Sequence, residues 1–170
     1  NYISISDFEV MFTVNANIRA VGVNGWDIKN CISHHSGDTD ESEGQGIQLE
    51  GKDCEISGNL IYENGQHGIF LSSFGTGKVF NNLVERNEIF NNYHTAIDLM
   101  NDGGTQDSHN RTVIRRNLIY DTKDFLGKEV GIQSLGYGIG LVKNAFIHHN
   151  IILNVRGVGI SAVTNSDSIY

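Results

Sequence analysis

The chain has 170 residues, 39% of them hydrophobic, a length and balance that suit one domain around a thin, elongated core. A formal net charge of -8 and the lack of any Lys/Arg cluster argue against nucleic acid as a partner. They also disfavour acidic polymers such as pectate or alginate, unless a bound cation bridges the like charges. No apolar run approaches the roughly 18 to 20 residues needed to span a bilayer, so no membrane partner is expected. Neutral ligands fit best.

Proline is absent and glycine reaches 20 residues, which favours short strands and many tight turns over helices. The first 24 residues carry Ile3, Ile5, Phe8, Val10 and Phe12 at alternate positions and read as a lead-in coil. They lack a basic, signal-like start and the initiating Met, so the chain reads as a mature or excised piece of a longer, secreted or cell-surface protein. From residue 25 to 163 a repeat takes over.

Its first motif is Ile28-Lys29-Asn30-Cys31-Ile32, then Ile56 to Ile61, Val84 to Ile89, Ile114 to Ile119 and Ile147 to Ile152. Aligned on Asn30, Asn59, Asn87, Asn117 and Asn150, these recur at 29, 28, 30 and 33 residues. A second motif follows each: Gly46-Ile47-Gln48-Leu49, Gly68-Ile69-Phe70-Leu71, Ala96-Ile97-Asp98-Leu99, Gly138-Ile139-Gly140-Leu141 and Gly159-Ile160-Ser161-Ala162. Alternation over four to six positions marks half-buried strands. Self-similarity at this period predicts a solenoid of about five or six coils, each a rung of three short strands. Ile stacks on Ile inside, the asparagine amides bond along the axis, and insertions gather at two corners, near Ser36 to Glu43 and Thr122 to Ser134, and near Ser73 to Val79 and Met100 to Asn110. Cys31 and Cys54 fall at different places on the coil and are expected as free, buried thiols.

The I-x-x-N-x-I and G-I-x-L motifs resemble those of the pectin-lyase-like right-handed β-helix superfamily. The resemblance implies an all-β, right-handed parallel β-helix. It covers polysaccharide lyases, glycoside hydrolases, epimerases, tailspikes and non-catalytic carbohydrate-binding modules, so it specifies fold more than function.

On the second-motif strand the residue between the inward Ile and Leu points out. That gives outward columns of Gln48, Phe70, Asp98, Gly140 and Ser161, of Glu50, Ser72, Met100 and Val142, and of Gln45, His67, Thr95 and Tyr137. Phe70 in such a ribbon needs a loop or a ligand over it. The loop at 73 to 79 would give a packing role and a sugar ring a binding one. Tyr93, Tyr137, Phe74 and Phe125 lie near the inserted corners and could extend an aromatic wall. Asp98 and Asp102, or Asp98 and Glu50, are the pairs that could approach the carboxylate spacing of glycoside hydrolysis, roughly 5 to 9.5 Å. A simply solvated acidic face competes with that reading. Lys29, Arg86, Arg116 and His149 align beside the asparagines on a different strand, so a complete lyase set is missing.

The loop Asp38-Thr39-Asp40-Glu41-Ser42-Glu43 is either a solvated acidic loop or a calcium site, and apart from that calcium no cofactor is expected. His34-His35 and His148-His149 are expected to point opposite ways as strand neighbours and so not to chelate. His67 and His94 should lie near each other beside the ribbon, with ligand contact or turn packing as their roles. Zinc would need further ligands.

The lead functional expectation is a non-catalytic module binding a neutral plant-type polysaccharide such as xylan, attached to a catalytic domain of a larger glycoside hydrolase. Its contacts would be Gln48, Glu50, His67, Phe70, Tyr93, His94, Asp98, Asp102 and Tyr137. The alternatives are a lyase or hydrolase working through Asp98, Asp102 and His67 or His94, and a tailspike or adhesin segment.

Overall fold

Three strands and three bends make one rung, and six rungs stack so that each strand pairs in parallel with its counterpart above and below. A computed structural model describes residues 2–37, 44–72, 79–100, 111–123, 125–126, 133–134, 137–141 and 145–162. Sheet A stacks Ile3–Ser6, Trp26–Lys29, Glu55–Ser57, Leu83–Glu85, Val113–Arg115 and Phe146–His148. Sheet B stacks Glu9–Met11, Ile32–His34, Leu60–Tyr62, Glu88–Phe90, Leu118–Tyr120 and Ile151–Leu153. Sheet C stacks Ala16–Asn24, Gln45–Lys52, His67–Ser72, Thr95–Met100, Tyr137–Leu141 and Val158–Ala162. The expected parallel β-helix is borne out, and the lead-in residues form a full first rung.

The core is a set of vertical apolar columns, because the register puts like on like. In sheet A, Ile28, Ile56, Val84, Ile114 and Ile147 stack in turn. In sheet C, Ile18, Ile47, Ile69, Ile97 and Ile139 stack, with Leu49, Leu71 and Leu99 beside them. Nearly all are fully buried, and each such side chain contributes roughly 1.5 to 3 kcal/mol of transfer free energy. In the first rung Phe8 and Phe12 are 60% and 73% exposed, while Ile5 and Val10 pack on the core.

The described corners share one local rule. A residue in the left-handed region turns the chain, and the next residue points into the bend. At the A–B corner the turning residues are Asn30, Gly58, Arg86, Arg116 and His149, with φ between 54° and 66°. The inward residues after them are Cys31, Asn59, Asn87, Asn117 and Asn150. The amide ladder therefore runs from Asn59 to Asn150: Asn87 Nδ2 donates to Asn117 Oδ1 at 3.0 Å and Asn117 Nδ2 to Asn150 Oδ1 at 2.9 Å. Asn30 is not a rung of it; Cys31 takes that place, its N–H donating to Asn59 Oδ1 at 2.9 Å. The first spacing is thus one residue shorter than the asparagine alignment implies. Asparagine tolerates the left-handed conformation, so the residue type fits either position.

A second ladder at the B–C corner runs through Ser36, Asn64 and Asn92, and at the third corner the Cys54 N–H donates to Asn82 Oδ1 at 3.0 Å. Each side chain meets backbone groups that the bends would otherwise leave buried and unpaired. Cys31 and Cys54 are both free and buried, as expected.

The glycine opening the second motif has a steric cause. A Cβ on Gly46 would sit 2.6 Å from the Gly68 carbonyl oxygen, and one on Gly68 would sit 2.7 Å from that of Ala96. The chain passes too close to the next rung there for a side chain.

Candidate functional site

Sheet C carries the ribbon, and its register sets Gln48, Phe70, Asp98, Gly140 and Ser161 in one outward row. Ser72 and Met100 stand opposite each other in the next row, and His67, Thr95 and Tyr137 in the row on the other side. The ribbon is not an open platform. Gln45, Gln48, Glu50, His67, Phe70, Ser72 and Thr95 are all buried, whereas Asp98, Tyr93 and His94 are half-buried and Met100 is exposed.

Phe70 is only 4% exposed, and its ring stacks on His67 at 4.8 Å and 12°. It supports the histidine and offers no free ring face, which answers in favour of packing the choice left open by the sequence. Asp102, Phe74 and the acidic stretch 38–43 lie outside the described residues, as do the side chains of Tyr137 and Phe125. Tyr93 pairs through its backbone with Lys123, whose ammonium lies 5.0 Å from the centre of the Tyr93 ring.

His67, His94 and Asp98 are brought together. One ring nitrogen from each histidine and a carboxylate oxygen of Asp98 lie within 4.8 Å of one another. His67 Nδ1 is 3.7 Å from Asp98 Oδ2, too long for a hydrogen bond, and it is buried with no hydrogen-bond partner. Burial, and secondarily the neighbouring His94, hold the His67 pKa well below its usual value, so the imidazole is neutral and the contact is not an ion pair. Burial lowers the pKa of His94 as well. His94 sits at φ 77°, and the Thr95 N–H reaches the Tyr93 carbonyl at 3.2 Å across it, the pattern of a rare, strained γ-turn. Two further side-chain atoms on this face, Gln45 Oε1 and Ser72 Oγ, are also buried and unpartnered.

The profile of the right-handed β-helix region family matches residues 1–170. The chain belongs to that family. No curated protein sequence matches it significantly. In this β-helix the basic residues aligned beside the marker asparagines, Lys29, Arg86 and Arg116, sit apart from the ribbon, at or beside the A–B corner, whereas Arg19 is in register with Gln48 on sheet C. Near that corner Lys29 bridges Asp27 and Glu55 at 3.0 Å each, and Arg115 and Arg86 hold Glu85 at 2.7 and 2.8 Å.

The two histidine pairs overturn their expectation. His34 Nδ1 and His35 Nδ1 lie 2.6 Å apart, and His148 Nδ1 and His149 Nδ1 lie 2.7 Å apart. Strand neighbours diverge, but His35 and His149 are the left-handed turning residues of their corners, with φ of 53° and 56°, and the turn swings the rings together. Also unforeseen is a stack on the outside of sheet B: His34 on Tyr62 at 4.7 Å, Tyr62 on Phe90 at 5.0 Å and Phe90 on Tyr120 at 4.9 Å. The third place of each sheet B strand was its signal. These rings cover each other's faces, so the stack stabilises the sheet and presents edges.

Proposed function

We propose that this β-helix is a non-catalytic carbohydrate-binding module that holds a neutral plant-type polysaccharide, such as xylan, against the outer face of sheet C, within a larger glycoside hydrolase. One observation carries the reading. Buried polar atoms with unmet hydrogen bonds, on Gln45, His67 and Ser72, share one face with the accessible Tyr93, His94, Asp98 and Met100. Hydroxyl-rich sugars supply both donors and acceptors for such groups, and a half-exposed tyrosine supplies an apolar flank. The charge of -8 favours a neutral chain over a uronate.

Titration calorimetry with xylo-oligosaccharides tests this on the wild type and Tyr93→Ala. The expected result is binding that weakens roughly 5- to 150-fold in the variant, from roughly 1 to 3 kcal/mol of lost contact, with an unchanged unfolding midpoint. Equal affinity in both proteins refutes the assigned face. The convergence of His67, His94 and Asp98 favours a second reading, acid–base chemistry of a lyase or hydrolase. Released reducing ends or unsaturated products would establish it.

A further inference from the structure

We propose that His67, His94 and Asp98 form a binding site for a divalent transition ion of the zinc class, independent of any saccharide. The three donors come from neighbouring rungs of sheet C. His67 opens one strand and stands opposite Thr95, while His94 precedes the next strand and Asp98 lies within it. The stacking of His67 on Phe70 fixes its ring on the side of the strand where Asp98 projects.

The donor chemistry selects the ion. Two imidazoles with one carboxylate suit zinc, copper, nickel or iron, whereas calcium prefers oxygen ligands alone. Calcium at the acidic loop was one of two readings of the sequence, the other being a solvated loop, and this cluster is a different site of a different class. Tetrahedral zinc with bonds of about 2.0 to 2.1 Å sets its ligand atoms roughly 3.3 Å apart. The His67–Asp98 separation of 3.7 Å is close to that, and all three ligand atoms lie within 4.8 Å of one another.

The decisive feature is the His67 nitrogen. Nδ1 is buried, faces Asp98 and has no hydrogen-bond partner. A ring nitrogen orphaned at such depth is costly in either tautomer, and in the tautomer with Nδ1 unprotonated a metal ion removes the cost by taking its lone pair. The side chain of Asp98 is 18% exposed, which leaves a route for entry and an open coordination position.

The test uses the full chain after treatment with a chelator, without glycan. Zinc is titrated in competition with a chromophoric chelator, and cobalt substitution is followed by its visible absorption. Expected are one zinc per chain, a cobalt band of tetrahedral or five-coordinate intensity, and no displacement by millimolar calcium. His94→Ala and Asp98→Asn, at half-buried positions, should each weaken zinc at least tenfold and alter the cobalt band while the circular dichroism is kept. His35→Ala and His149→Ala, in the two surface pairs, should change neither. The proposal is overturned by any of three results: no binding at 100-fold excess zinc, affinity indifferent to His94→Ala and Asp98→Asn, or calcium binding as tightly as zinc.

Discussion

Asn87→Ala interrupts the amide ladder at its middle. The Asn87 Oδ1 accepts from the Asn59 N–H at 3.0 Å and from Asn59 Nδ2 at 2.9 Å, and its Nδ2 donates to the Ile56 carbonyl and to Asn117 Oδ1, each at 3.0 Å. Asn59 Nδ2 keeps a bond to the Ile28 carbonyl, and Asn117 Oδ1 keeps the Asn87 N–H. The Asn59 N–H and the Ile56 carbonyl lose their ladder partner in a site only 1% exposed. Two such groups at about 1 to 2 kcal/mol each, with the void left by the amide, put the loss at roughly 3 to 5 kcal/mol. Asn150→Ala is the comparison. Asn150 sits at the half-exposed end of the ladder, where water replaces the amide, so the cost there is about 1 kcal/mol. Urea unfolding followed by Trp26 fluorescence and circular dichroism measures both. With a slope of about 2 to 3 kcal/mol per molar, Asn87→Ala should lower the midpoint by roughly 1 to 2 M. Equal effects at the two positions would refute the argument that ladder bonds matter in proportion to their burial.

Gly68→Ala should destabilise the fold by about 1 to 3 kcal/mol in the same assay, since the new methyl meets the Ala96 carbonyl oxygen and Ile89 Cγ2, each at 2.7 Å; an unchanged midpoint contradicts the close approach of rungs. Burial raises the pKa of Glu85, but the hydrogen bond from Arg115 and the charges of Arg115, Arg86 and Arg116 outweigh it, and the net shift is downward from 4.5. A depressed carboxylate pKa stabilises above the unfolded value and loses that stability as pH falls through the folded one. The advantage of wild type over Glu85→Gln should therefore be full at pH 7 and shrink below pH 4.5; a gap constant down to pH 2 would contradict it. Burial also raises the Cys54 thiol pKa, and Cys31 is equally enclosed, so a disulfide-exchange reagent should label neither in the native protein and both after unfolding. Rapid native labelling would place one of them at the surface.

The repeat was legible because a solenoid writes its geometry into the chain rung by rung. Ile47, Ile69 and Ile97 recur because they stack, and Gly46 and Gly68 recur because no Cβ fits there. What was misread lies at the bends. The I-x-x-N pattern does not say which of two adjacent residues turns the chain, and so Asn30 took the place of Cys31. The same turn, unseen in His34-His35, converts two strand neighbours into a converging pair. Phe8 and Phe12 alternate like core residues, yet Phe12 is itself a turning residue, with φ 58°. At the candidate site, the columns holding His67, Phe70 and Asp98 followed from strand alternation alone. Their burial did not, because it depends on what lies over the sheet. The approach of His94 to His67 was also legible, from their places on adjacent coils, but the γ-turn at His94 was not, and the convergence of both on Asp98 was not foreseen.

The central claim, that the sheet C face binds a neutral polysaccharide, is met most directly by affinity electrophoresis. The chain is run through gels containing xylan, glucomannan, β-glucan, pectate or alginate, with reducing-sugar and unsaturated-product assays on the same samples. Retardation by a neutral glycan, with no product released, is the predicted result. Migration unchanged in every gel, or product released from any polymer, would contradict it.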